Sequence, residues 1–130
     1  MNITVKKWMH KNVAIAKFND SAKTAANEMV KKKVGSLIVT DKENKPIGIV
    51  TETDFVRKVV ASGVSSKMIQ IEDIMSGKML SIESDKDITD ASEMMKNKNI
   101  KRLPVVENEK VVGIITSTDL VNAMAKLAND

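Results

Sequence analysis

Apolar positions in this chain follow two rhythms, and the order of the rhythms occurs twice. Short apolar runs at residues 13–16, 36–40 and 47–51 predict strands, as do residues 79–82, 102–106 and 111–116. Between them lie stretches with helical spacing. In 21–33 the apolar positions are Ala22, Ala25, Ala26, Met29 and Val30, spaced i, i+3, i+4, i+7, i+8. A counterpart helix is predicted over 87–99. Two more helices are predicted over 52–61 and 117–127, the latter with Leu120, Val121, Met124, Leu127 and Ala128 on one face. The segment 62–70 is polar, holds Gly63 and three serines, and reads as a loop.

Sliding the chain by 66 residues sets Met9 on Met75, Ala25 on Ala91, Met29 on Met95, Leu37 on Leu103 and Val39 on Val105. One residue is then lost in a polar turn, Asp41 to Pro46 against Glu107 to Lys110, where a length change is tolerated. At a slide of 65, Gly48-Ile49-Val50-Thr51-Glu52-Thr53-Asp54 falls on Gly113-Ile114-Ile115-Thr116-Ser117-Thr118-Asp119. An internal repeat of this kind decides the fold. Residues 5–61 form the first repeat, 62–70 a linker and 71–128 the second, with residues 71–74 before Met75 taking the place of residues 5–8 before Met9. One β-α-β-β-α unit has a small core and an open sheet face. An α/β fold of two such units packed sheet to sheet with pseudo-twofold symmetry, leaving a cleft on the axis, is therefore expected.

The doubled phrase turns from strand to helix. Thr51-Glu52-Thr53-Asp54 and Thr116-Ser117-Thr118-Asp119 fit a helix capping box, in which Thr51 and Thr116 are N-caps worth about 1 kcal/mol each and bind nothing else. Capping leaves the second Thr of each copy without a task. A helix start also suits an anion, because its first N–H groups lack partners and its dipole end is positive. The two roles can coexist.

These residues carry a family likeness. Asp73-Ile74-Met75, Leu103-Pro104-Val105-Val106 and the doubled Gly-Ile-(Val/Ile)-Thr-x-Thr-Asp resemble a tandem pair of cystathionine β-synthase (CBS) domains, a Bateman module, over nearly the whole chain. The resemblance implies ligand sensing rather than catalysis: AMP, ADP, ATP or S-adenosylmethionine held between the repeats, the Asp on the ribose hydroxyls, and Thr or Ser hydroxyls on ribose or phosphate. It implies two clefts. One would combine Thr116, Thr118 and Asp119 with Lys11, Asn12, Val13 and Ala14; the other would combine Thr51, Thr53 and Asp54 with Lys78, Met79 and Leu80. Just before the second strand, the second copy has Lys101-Arg102 where the first has Gly35-Ser36. In phosphate-binding members a basic residue here reaches the phosphate, and Arg offers a forked, permanent charge. The Asp119 cleft is therefore expected to be the stronger nucleotide site. Surface pairing of Arg102 with a carboxylate is the alternative. The family also implies pairing of protomers through helices, so a homodimer and a separate effector protein are expected, with some methionines in the interface.

Composition narrows this further. The 130 residues carry no cysteine and one histidine, His10, so neither a disulfide framework nor a strong metal site is expected. No Ser-His-Asp set has independent support, which argues against an enzyme. The net charge of +4 admits weak attraction to polyanions, but aromatics are 2% and the lysines are scattered, which argues against a nucleic-acid binder. Lys31, Lys32 and Lys33 suit a solvated helix end. The absence of an apolar run of about 18 residues and of a leader-like N-terminus leads to an expectation of a cytoplasmic protein. The competing expectation is a scaffold that oligomerises without a ligand.

Overall fold

The computed structural model describes residues 3–76 and 79–129. Its elements in chain order are α1 (Val5–Trp8), β1 (Ala14–Lys17), α2 (Ala22–Lys32), β2 (Ser36–Thr40), β3 (Pro46–Thr51), α3 (Glu52–Phe55), β4 (Ile82–Glu83), α4 (Ile88–Lys98), β5 (Arg102–Glu107), β6 (Lys110–Thr116) and α5 (Ser117–Ala128). The mixed α/β fold holds two three-stranded sheets, ordered β1-β2-β3 and β4-β5-β6. In each, the first strand runs parallel to the middle one and the third antiparallel.

Local chemistry sets the ends of these elements. Ser21 caps α2 by accepting from Thr24 N–H, and Asp87 caps α4 by accepting from Thr89 N–H. Both helices stop on a left-handed residue, Lys33 and Asn99. The second hairpin turns on Asn108 and Glu109, both with positive φ, as a two-residue type I′ loop requires. The first needs one residue more. There Asp41 Oδ1 accepts from the N–H of Glu43 at 2.8 Å and of Lys45 at 3.0 Å.

β4 is shorter than the expected strand over 79–82, and the cause is Pro104. In the first sheet β1 pairs with β2 from Ala14–Leu37 onward; in the second, pairing begins only at Ile82–Val105. Ile114, opposite Pro104, directs its own N–H and C=O outward to His10. The Pro104 backbone therefore faces β4, where it has no N–H to donate.

The chain divides into two compact units that cut across the repeats: Asn12–Met79 is one, and Met1–Lys11 with Leu80–Asp130 is the other. The reason is burial. Val5 is fully buried among Ile82, Ala91, Met95, Leu103 and Ile115. Ile71 is fully buried among Ala16, Ala25, Leu37 and Val50. Burying such a side chain contributes roughly 1.5–3 kcal/mol. Each opening segment thus completes the core of the repeat other than its own.

Two expected core faces depart from the pattern. On α5, Leu120 and Ala123 are buried, whereas Val121 is 63% and Met124 66% exposed. On α2, Met29 is buried and Val30 exposed. The helix expected over 52–61 also widens after α3: Ala61 N–H donates to Val56 C=O, five residues back.

Candidate functional site

The doubled phrase performs three structural tasks. Its glycine admits another chain segment. A Cβ on Gly113 would lie 2.8 Å from His10 O and 2.7 Å from Met9 Sδ, and one on Gly48 would lie 2.9 Å from Ser76 O. Its first Ile holds that segment: His10 N–H donates to Ile114 O at 2.8 Å and Ile114 N–H returns to His10 O at 3.0 Å. Its Thr and Asp form the capping box in both copies.

Around α5 the box is tightly made. Thr116 N–H and Oγ1–H donate to Asp119 Oδ2 at 2.8 and 3.0 Å, and Asp119 N–H donates to Thr116 Oγ1 at 3.3 Å. Ser117 N–H donates to Lys101 O at 2.9 Å. Two of the first three amides of α5 are thus already satisfied, so the site is less of a bare helix start than the sequence suggests. Asp119 Oδ1 lies 2.5 Å from His10 Nε2; the carboxylate is 4% exposed and the imidazole 61%. Arg102 is the direct cross-strand partner of Thr116, so their side chains leave the same face of the sheet. Among the described residues Arg102 makes no ion pair and is exposed, as are Lys101 and Thr118.

The first copy is built alike but charged differently. Asp54 Oδ2 accepts from Thr51 N–H at 2.9 Å and Thr51 Oγ1–H at 3.2 Å, while Oδ1 pairs with Lys58 Nζ at 3.4 Å. Lys58 also donates to Ile74 O at 3.1 Å. Thr53 is exposed. Opposite Thr51 stands Ser36 rather than an arginine, and Glu52 adds a second acid.

Lys11 is exposed and belongs to the unit of Asp119; Asn12, Val13 and Ala14 belong to the other. Ala14 is buried and Asn12 Nδ2–H donates to Lys32 O at 3.2 Å. Met79 belongs with Asp54, Leu80 with Asp119, and Lys78 lies outside the described residues. His10 was not anticipated as a site residue. Its repeat counterpart is Ser76, so the repeat carries no sign of it, and only the exchanged opening segment brings it to Asp119.

Among the described residues no group of three or more His, Asp or Glu is placed to hold a metal ion. Among them too, no helix is long and apolar enough to cross a membrane.

The family model for the CBS domain matches residues 5–61 and 71–126. The chain belongs to the CBS domain family. An uncharacterized protein of Methanopyrus kandleri is 32% identical over 92% of this chain, which spans 62% of that protein's length. Among solved structures, the CBS domain pair of protein MJ0100, in complex with 5′-methylthioadenosine and S-adenosyl-L-methionine, is 28% identical with a TM-score of 0.81, covering 97% of this chain and 98% of that one. A hexameric CBS-CP12 protein from bloom-forming cyanobacteria is 29% identical with a TM-score of 0.80, covering 94% of this chain and 72% of that one. CBS domain pairs are in general regulatory rather than catalytic.

Proposed function

We propose that the chain is a regulatory module that binds an adenosine compound (AMP, ADP, ATP or S-adenosylmethionine) at the Asp119 end of β6 and α5, and that a separate effector reads the bound state. The observation that carries this reading is the Arg102–Thr116 pair. It sets an unpaired guanidinium on the face where Thr116 fixes the buried carboxylate of Asp119. A carboxylate that can accept from ribose hydroxyls beside a cation suited to phosphate is the chemistry a nucleotide needs. The similarity to a CBS pair that holds two adenosine derivatives supports it. Thr118, Lys101 and Lys11, all of the same unit as Asp119, would assist with hydroxyl and charge.

The Asp54 site, with Thr51, Thr53 and Met79 of the same unit, is proposed as the weaker of the two. It has no arginine opposite its cap, and Lys58 already neutralises its acid. The exposed apolar faces support a homodimer. Val56, Val121 and Met124 lie open, and Met29, Val34 and Phe55 line a 490 Å³ groove beside Val56.

A thermal-shift screen with AMP, ADP, ATP and S-adenosylmethionine tests the reading. Binding stabilises by RT ln(1 + [L]/Kd), about 2.7 kcal/mol at a hundredfold excess over Kd. Asp119→Ala should abolish the response. A ligand-free scaffold is the second reading, favoured by the carboxylates of Asp119 and Asp54 both being already partnered. It requires a stable oligomer whose melting point no nucleotide moves.

A further inference from the structure

The Asp119 carboxylate is nearly full before any ligand arrives. Its Oδ2 accepts two hydrogen bonds from Thr116, which uses both lone pairs, so Oδ1 alone is left to meet a ligand. That oxygen is held by His10 Nε2 at 2.5 Å. The imidazole is largely exposed while the carboxylate is not, so the ring stands outside the acid and covers it. Both backbone bonds of His10 go to Ile114. The segment is therefore pinned, and the ring can leave Asp119 by side-chain rotation alone. In the first repeat the same oxygen is held by Lys58, a cation of the same helix that is also bonded to Ile74 O. The two acids are thus covered by unlike groups, one tied twice and one tied once.

We propose that His10 is a resident competitor for the ribose-binding oxygen of Asp119, which the vicinal hydroxyls of a ribonucleoside must displace. His10 then lowers the affinity of the site for a ligand that must take that oxygen, and lowers it most for one that brings two hydroxyls to it. This inference rests on the adenosine-binding reading above.

Isothermal titration of adenosine into wild type, His10→Ala and His10→Gln tests it, with 2′-deoxyadenosine as the second probe. Removing one hydrogen-bonded competitor should tighten adenosine binding to His10→Ala by roughly fivefold. His10→Gln, whose amide can donate to the same oxygen, should stay near wild type. The gain for 2′-deoxyadenosine should be clearly smaller, because it offers a single hydroxyl at the ring. Since the chain has one histidine, its imidazole NMR signals report displacement directly and should move as adenosine saturates wild type. If both proteins bind adenosine but His10→Ala binds no more tightly, or if the imidazole signals stay fixed at saturation, the competitor role is overturned while the ligand reading stands. If adenosine fails to bind at millimolar concentration, AMP and 2′-deoxy-AMP take the place of the two nucleosides with the same expected outcomes, and if no variant binds AMP either, the ligand reading falls and this inference falls with it.

Discussion

Arg102 stands directly opposite Thr116 in the β5–β6 ladder, at the step where strand becomes helix. This places a permanent cation on the face of the capped acid, and among the described residues no carboxylate pairs with it. Arg102→Ala should therefore weaken AMP, ADP and ATP by roughly tenfold or more, the value of a charge-assisted contact, and leave adenosine within about twofold. Calorimetric titration of both ligand types gives the answer. An equal loss for adenosine would mean that Arg102 shapes the site rather than meeting phosphate.

Gly113 and Gly48 answer to close approach. Gly113→Ala would drive its Cβ to 2.8 Å from His10 O, a backbone atom that cannot step aside cheaply. Gly48→Ala meets Ser76 O at 2.9 Å. Each should cost about 1–3 kcal/mol, seen as a lower urea midpoint. Gly113→Ala should also move the imidazole signals of His10, and Gly48→Ala should leave them in place. Wild-type midpoints for both would contradict the exchanged segments.

Acid should unfold the protein partly through Asp87. Thr89 N–H, the Thr89 hydroxyl and Ile3 N–H all donate to this carboxylate, which holds its pKa below the ordinary 3.8. A depressed folded value means that its contribution is present above about pH 4 and is lost as pH falls through the folded value. Asp87→Asn keeps an acceptor at the cap but removes the titration. Its urea midpoint should fall less steeply than that of wild type from pH 4 to pH 2. Parallel curves would show that the group plays no part.

The open apolar stripe of α5 should govern assembly. Val121→Lys with Met124→Lys puts two charges where 63% and 66% of those side chains are exposed, so folding should be little affected. Losing two apolar anchors should weaken association by roughly 2 kcal/mol or more, about thirtyfold. Light scattering after size exclusion should show a dimer for wild type and a monomer for the variant. An unchanged mass would move the interface elsewhere.

Much of this was legible in the residues, for stated physical reasons. Strand and helix periods located five of the six strands and the long helices, though not α1, and met β4 only at Ile82; Ser21, Asp87 and the Thr-x-x-Asp boxes marked helix starts because caps are local. The likeness of the two halves revealed the family. What escaped was tertiary. The stripe on α5 has helical spacing, but spacing cannot tell a face turned to the chain's own core from one turned outward. His10 is ordinary in sequence and reaches Asp119 only because Val5 seats the opening segment in the unit that holds Asp119. Pro104 was visible throughout, yet its effect on β4 depends on which way its backbone faces, which the His10–Ile114 bridge decides.

The crossed opening segments make the polar stretch between the repeats dispensable as a covalent bond. A protease that nicks the chain near Gly63 releases two fragments, each owning a strip that the other's sheet and helices have enclosed. They remain clasped, and to part them both cores must be opened to water at once. For the same reason neither repeat can be inherited, expressed or discarded by itself without leaving an unfilled socket behind.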